Sequence, residues 1–510
     1  MKIIWHSLLA LLLAVSLVLG LQLPAIALTE NPTTPTTSIK SYLDRVKSQV
    51  TEFRLDNGMK FIVLERHQAP VASFFTYADV GGVDEPEGQT GVAHFLEHLA
   101  FKGSSRIGTN NWQAEKVLLD KLDQLDAQIR EAVAQGKDAK ALQAEFSQTE
   151  TQAKQYVKSN EFGQIITQAG GVGLNAATGT DFTVYFYSLP ANKMELWFSL
   201  ESERFLDPVF REFFKEKEVI LEEKRSRNDN SPLGRILDIF QDKAFAVHPY
   251  KRPVIGYEED IRNLTRKNVQ DFFTSHYVPS KLTMGVVGDV DPQQVKRLAE
   301  TYFGRFAATP AAPQVSTIEP VQTAPREVML ELDNQPVYLE GYHRPAIDHP
   351  DNAVYEVITK LMSDGRRSRL YSQLVEKQQI ALAADGSNGY PGNKFPHLLV
   401  FYALPAPGVT LEQLEVALKA EITKFQQEPV SAPELARVKK QFKSEILSGL
   451  GSNRGMARAL VETDVKLGSW QKLFTAIDEV NAVTAADIQR VAKSTFTEAN
   501  RTVGKLLTKK

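Results

Sequence analysis

Apolar and polar residues alternate through "FRLDNGMKFIVLE" from Phe53, and the break at Asp56-Asn57-Gly58 predicts a β-hairpin. A second extended stretch, "ASFFTYADV", follows, and then the period changes. "GVAHFLEHLAFKG" from Gly91 is apolar nearly all round, the pattern of a short buried helix. The next long segment, from Ala114 to Lys158, carries Leu118, Leu122 and Leu125 at helical spacing among paired charges. It reads as a helical hairpin turning at Gly136. In "LNAATGTDFTVYFY", Asn175 to Thr178 reads as a turn or sheet edge leading into alternation at Phe182, Val184 and Phe186. "AATPAAPQVSTIEPVQTAP" from Ala307 is a proline-rich linker that divides the chain.

The two parts resemble each other. "LTRKNVQDFFTSHYVPSKLTMGVV" from Leu264 matches "VTAADIQRVAKSTFTEANRTVGKL" from Val483 at an offset of 219, helix then strand. "GVAHFLEHLAFKG" aligns with "AVYEVITKLMSDG" from Ala353 at an offset of 262. Two matches in the same order predict a duplication, and the difference in offset predicts an insertion in the first copy. The helical hairpin, residues 113–158, is of the right size. The expected fold class is α+β, with two homologous lobes, each a mixed sheet with packed helices. The lobes span residues 51–306 and 326–510, joined by a linker at 307–325.

Composition narrows the chemistry. The chain has 510 residues and a net charge of -3, without the basic excess of a nucleic-acid binder. It has no cysteine, so disulfides, thiol catalysis and thiolate metal sites are excluded. The first 27 residues read as a signal peptide: Lys2, an apolar run from Leu8 to Leu23, then Ala25-Ile26-Ala27 as the cleavage signal. An uncleaved anchor is the alternative. Residues 28–50 form a polar linker. The expectation is an exported protein, periplasmic or in an equivalent compartment, with no later membrane span.

Nine histidines are present, and two stand four apart at His94 and His98. On a helix they share a face and can share a metal, and neutral imidazoles suit zinc. Glu97 lies on the same side, placed to take a proton from a water; this is an inverted HxxEH order. Polar groups on a buried helix need partners, which favours the metal over scattered surface histidines. A third ligand is then required. The helix in "FREFFKEKEVILEEKRSRNDNSP" offers Glu216 and Glu223, seven apart and on one face, with Glu222 turned away by about 100°.

With "HFLEHLAFKG", "EKEVILEE", "HPYKRPVIGYEEDI" and "LTMGVVGDVDP" together, the chain resembles the pitrilysin/insulinase superfamily, in particular its mitochondrial-processing-peptidase-like branch. The resemblance covers most of the mature chain. It implies one zinc ion held by His94, His98 and Glu223, with Glu97 as general base and Glu216 behind a histidine. It implies an exposed sheet edge for substrate, with Asn175 and Ala176 as contacts, and an apolar pocket lined by Phe101. An ordinary strand and turn is the alternative for those residues.

Members that work alone carry an arginine and, seven residues on, a tyrosine in the second lobe. Here "SRLYSQLVEKQQIAL" has Val375 and Leu382 at those positions. The resemblance therefore implies a paralogous partner that supplies the missing pair. The leading function is a zinc endopeptidase of short or unfolded polypeptides, as the metal-bearing subunit of a heterodimer. The alternatives are a homodimeric peptidase and a non-catalytic core-type subunit of a larger complex.

Overall fold

The computed structural model describes residues 39–509. The signal peptide and most of the polar linker after it lie outside the described residues. Residues 39–45 open a helix, Ile39–Ser48. The compact body runs from Val46 and holds two sheets.

The first sheet contains β1 (Val50–Arg54), β2 (Lys60–Glu65), β3 (Val71–Ala78), β4 (Val172–Thr178), β5 (Thr183–Pro190) and β6 (Leu282–Gly288), in the order β1-β2-β6-β3-β5-β4. The second contains β7 (Arg326–Leu332), β8 (Val337–Arg344), β9 (Ala381–Tyr390), β10 (His397–Pro405) and β11 (Arg501–Thr508), in the order β7-β11-β8-β10-β9. Without β1 the two topologies are the same. β2 and β6 run parallel, as do β7 and β11, and every other neighbouring pair is antiparallel. The fold is therefore α+β with a duplicated mixed sheet, and both sequence matches fall on equivalent elements.

The Asp56-Asn57-Gly58 break is the β1–β2 turn, where Gly58 adopts φ 95° and Leu55 N donates to Met59 O. Glycine takes that backbone region at no steric cost. The charged segment after the motif helix forms two helices, Trp112–Ala134 and Lys140–Lys154, with Gly136 at φ 67° between them. Its buried leucines are Leu119, Leu122 and Leu125; Leu118 is only partly buried.

Each sheet is covered on one face by a helix from the other half of the chain. Asn453–Leu467 packs on β3 and β6, while Pro232–Ala244 packs on β7 and β11. The approach is close. A Cβ on Gly285 of β6 would lie 2.7 Å from Val461, and one on Gly504 of β11 would lie 3.1 Å from Phe240. These two glycines are equivalent in the duplication. Lys60 of β2, buried, pairs with Asp464 of the crossing helix at 2.6 Å. The exchange ties the lobes together and leaves the other face of the first sheet for the motif helix.

Candidate metal centre

The motif helix is Val92–Leu99, with Val92, Ala93, Phe95, Leu96 and Leu99 all buried. Its start is fixed by Gly91, at φ 88°, where a Cβ would meet Ile255 O at 2.6 Å. Buried Glu85 accepts hydrogen bonds from the Gly91 and Ala93 N–H groups, both at 2.9 Å, satisfying donors that helix starts leave open. Burial pushes its carboxyl up to about 8 despite those bonds.

The acidic helix, Phe213–Lys224, lies against the motif helix, with Phe95 and Phe213 stacked at 4.8 Å. That contact sets its register. Glu223 Oε2 lies 3.9 Å from His94 Nε2 and 3.6 Å from His98 Nε2. One donor atom from each of the three residues lies within 4.8 Å of the others. Tetrahedral bonds of about 2.0–2.1 Å would separate donors by about 3.3 Å, so the three side chains fit a zinc ion with small adjustments. Glu222 instead points out, 68% exposed, and pairs with Arg225 at 2.9 Å.

The surroundings also suit a cation. His94 is half-buried, with its Nδ1 enclosed and unpartnered among the described residues, and desolvation pulls it down to about 3, which favours a neutral ring. His98, despite burial, is raised by its Glu216 contact and by the charges of Glu223 and Glu97. Carboxylates around imidazoles create a demand for positive charge that a divalent ion meets. Glu216 Oε2 stands 3.4 Å from His98 Nδ1, orienting the ring. Burial disfavours the Glu216 carboxylate, but the His98 and Lys102 contacts outweigh that and hold it at about 2.

Glu97 Oε2 accepts from Thr178 Oγ1 at 2.7 Å, and burial raises its pKa above the ordinary carboxylate range. Asn175 and Ala176 sit on β4, the edge strand of the first sheet, Asn175 exposed and Ala176 half-buried. The turn falls later, at Gly179 to Phe182, where Gly179 N donates to Phe182 O. Phe101 is half-buried, its ring 4.8 Å from the Arg204 guanidinium and near Phe162 and Tyr185. In the second lobe Val375 packs against the core and Leu382, on β9, is 54% exposed. Arg369 pairs with Glu434 at 2.8 Å.

Three contributors were not singled out from the sequence. Lys102, four residues after His98, donates to Glu216 Oε1 at 2.6 Å and Glu212 Oε2 at 3.1 Å. Thr178 holds Glu97, and Arg227, four residues after Glu223, pairs with its Oε1 at 2.7 Å. Helical spacing from the motif residues was the available signal for Lys102 and Arg227; none existed for Thr178.

Two copies of one sheet, with a two-histidine, one-glutamate cluster in the first copy alone among the described residues, define a two-lobed protein with one candidate metal site. Two family descriptions match: Insulinase (Peptidase family M16) over residues 60–122, and the Peptidase M16 inactive domain over residues 263–442. Zinc protease PqqE of Helicobacter pylori is 28% identical over 477 residues, 91% of this chain and 93% of that protein. A probable mitochondrial-processing peptidase subunit beta of Arabidopsis thaliana is 22% identical, covering 86% of this chain and 74% of that one. The crystal structure of a protease from Helicobacter pylori superposes with TM-score 0.75 at 26% identity, covering 90% of this chain and 99% of the other. The chain belongs to the pitrilysin/insulinase superfamily, peptidase family M16.

Proposed function

We propose that this protein is a zinc-dependent endopeptidase of short or unfolded polypeptides, acting in an extracytoplasmic compartment. The observation that carries the reading is the convergence of His94, His98 and Glu223 with Glu97 on the same helix. Zinc, when bound by those three side chains, supplies polarisation of a carbonyl and lowers the pKa of water towards 7.

The remaining work falls to the chain's own residues. Thr178 occupies Glu97 Oε2, so Oε1 is the oxygen that accepts the proton of the attacking water. A carboxyl whose pKa burial raises is a better base for that task than an ordinary one, and it later returns the proton to the departing amine nitrogen. Glu216 keeps His98 in one orientation, and Lys102 keeps Glu216 in place. The open edge of β4 suits a substrate added as a further strand, whose main-chain hydrogen bonds demand little of its sequence.

The second lobe presents Val375 and Leu382 where the resemblance places a cation and a phenol, which supports a paralogous partner chain that supplies them. Among the described residues no helix is long and apolar enough to cross a membrane. The test is to tag the chain, purify it from its own cells with whatever stays bound, and assay a mixed set of quenched peptides. Cleavage should vanish on chelation and return with zinc, and a second M16 chain should co-purify. Cleavage indifferent to chelation would refute the reading.

A further inference from the structure

When water adds to a peptide carbonyl, the carbon–oxygen π pair moves onto the oxygen, and fixed donors aimed there lower the barrier strongly. Among the described residues, the hydrogen bonds and ion pairs reaching the side chains of His94, Glu97, His98 and Glu223 from outside the four come from Thr178, Glu216 and Arg227. The Thr178 hydroxyl is committed to Glu97, and Glu216 is an anion. Lys102, one contact further out, already serves Glu212 and Glu216.

Arg227 differs. A guanidinium has five donors in a fixed plane. Nη1 lies 2.7 Å from Glu223 Oε1, the oxygen turned away from the histidines, and the side chain is 65% exposed, so its other donors are open. It stands on a π-helical turn, Arg225–Asp229, an irregularity frequent at functional sites. The turn is braced: Asn228 Nδ2 donates to both Asp238 oxygens, at 3.0 and 2.9 Å. A Cβ on Gly234 would come within 2.4 Å of Arg227 O, so the following helix fits only with glycine there. A pair four residues apart whose cation is largely in solvent contributes little to stability, which leaves its placement on this carboxylate to be explained by the site.

We propose that Arg227 is a further catalytic residue, gripping Glu223 with one N–H and offering others to the carbonyl oxygen of the scissile bond as it gains charge. This rests on the peptidase reading above. Water's oxygen bonds to the carbonyl carbon while Glu97 takes its proton; the pair on oxygen then reforms the carbonyl as the C–N bond breaks and the amine takes the proton. Arg227 exchanges no proton throughout.

The test compares the wild-type complex with Arg227→Met and Arg227→Lys, reading zinc content and the affinity of a phosphinic tripeptide, whose anionic oxygens resemble the charged intermediate. With zinc supplied to saturation, Arg227→Met should carry the wild-type zinc content and bind the phosphinic peptide at least about 10-fold more weakly, with kcat down by about 10²–10³-fold. Arg227→Lys should recover part of both. Unchanged phosphinic affinity would overturn the proposal, and so would zinc loss in step with affinity, which would make Arg227 a support for Glu223 alone. Wild type without zinc would refute the peptidase reading itself and this inference with it.

Discussion

Glu97→Gln should retain zinc at the wild-type level and lose about 10²–10⁴-fold in peptide cleavage. Glutamine keeps the shape of the side chain and can still accept the Thr178 hydroxyl through its amide oxygen. What it lacks is a second oxygen able to take a proton at neutral pH. Since Glu97 points at the site without being one of the three converging donors, metal content and turnover should separate in this variant. Atomic absorption and a quenched-peptide assay on the same preparation check it. Turnover within a few-fold of wild type would remove Glu97 from the role of base.

The second large effect concerns two adjacent glutamates. Glu223→Gln should weaken zinc by more than about 100-fold, since outer partners of ligands alone are worth about 10–100-fold. Glu222→Gln should leave zinc unchanged. The residues are chemically identical and neighbours in sequence; only the helix register distinguishes them. Glu223 is turned to the histidines and Arg227, whereas Glu222 faces solvent beside Arg225. Titration of each variant against a competing zinc indicator measures the difference directly. Equal affinities would contradict this register, and the reverse order would place Glu222 rather than Glu223 at the histidines.

These contrasts show what the sequence carries. His94, Glu97 and His98 lie within five residues, so helical geometry alone brings them to one side. The seven-residue interval between Glu216 and Glu223 likewise put both on one face. Which of the two meets both histidines at Nε2, and which meets only His98 at Nδ1, depends on how Phe213 stacks on Phe95, a tertiary contact that no interval encodes. Thr178 is 81 residues from Glu97 and arrives there only because β4 closes the sheet edge beside the motif helix. Its sequence setting is that of any strand end.

The fold divides in the same way. The duplication was legible because a helix–strand pair recurs with its glycine, Gly285 in one copy and Gly504 in the other. The exchange of helices was not. Asn453–Leu467 and Pro232–Ala244 are amphipathic, and an apolar stripe states that a helix is covered without stating by which sheet. Of the two readings of Asn175 to Thr178, turn or sheet edge, the edge is the one found: Asn175-Ala176-Ala177 has low strand propensity and is held extended by pairing with β5.

In the proposed peptidase, His94, His98 and Glu223 hold one zinc ion. The most direct test is zinc content together with zinc-edge X-ray absorption on the wild-type protein. The expected result is about one zinc per chain, bound by two imidazole nitrogens and a carboxylate oxygen. A chain that retains no zinc, or zinc in a setting without two imidazoles, would contradict it.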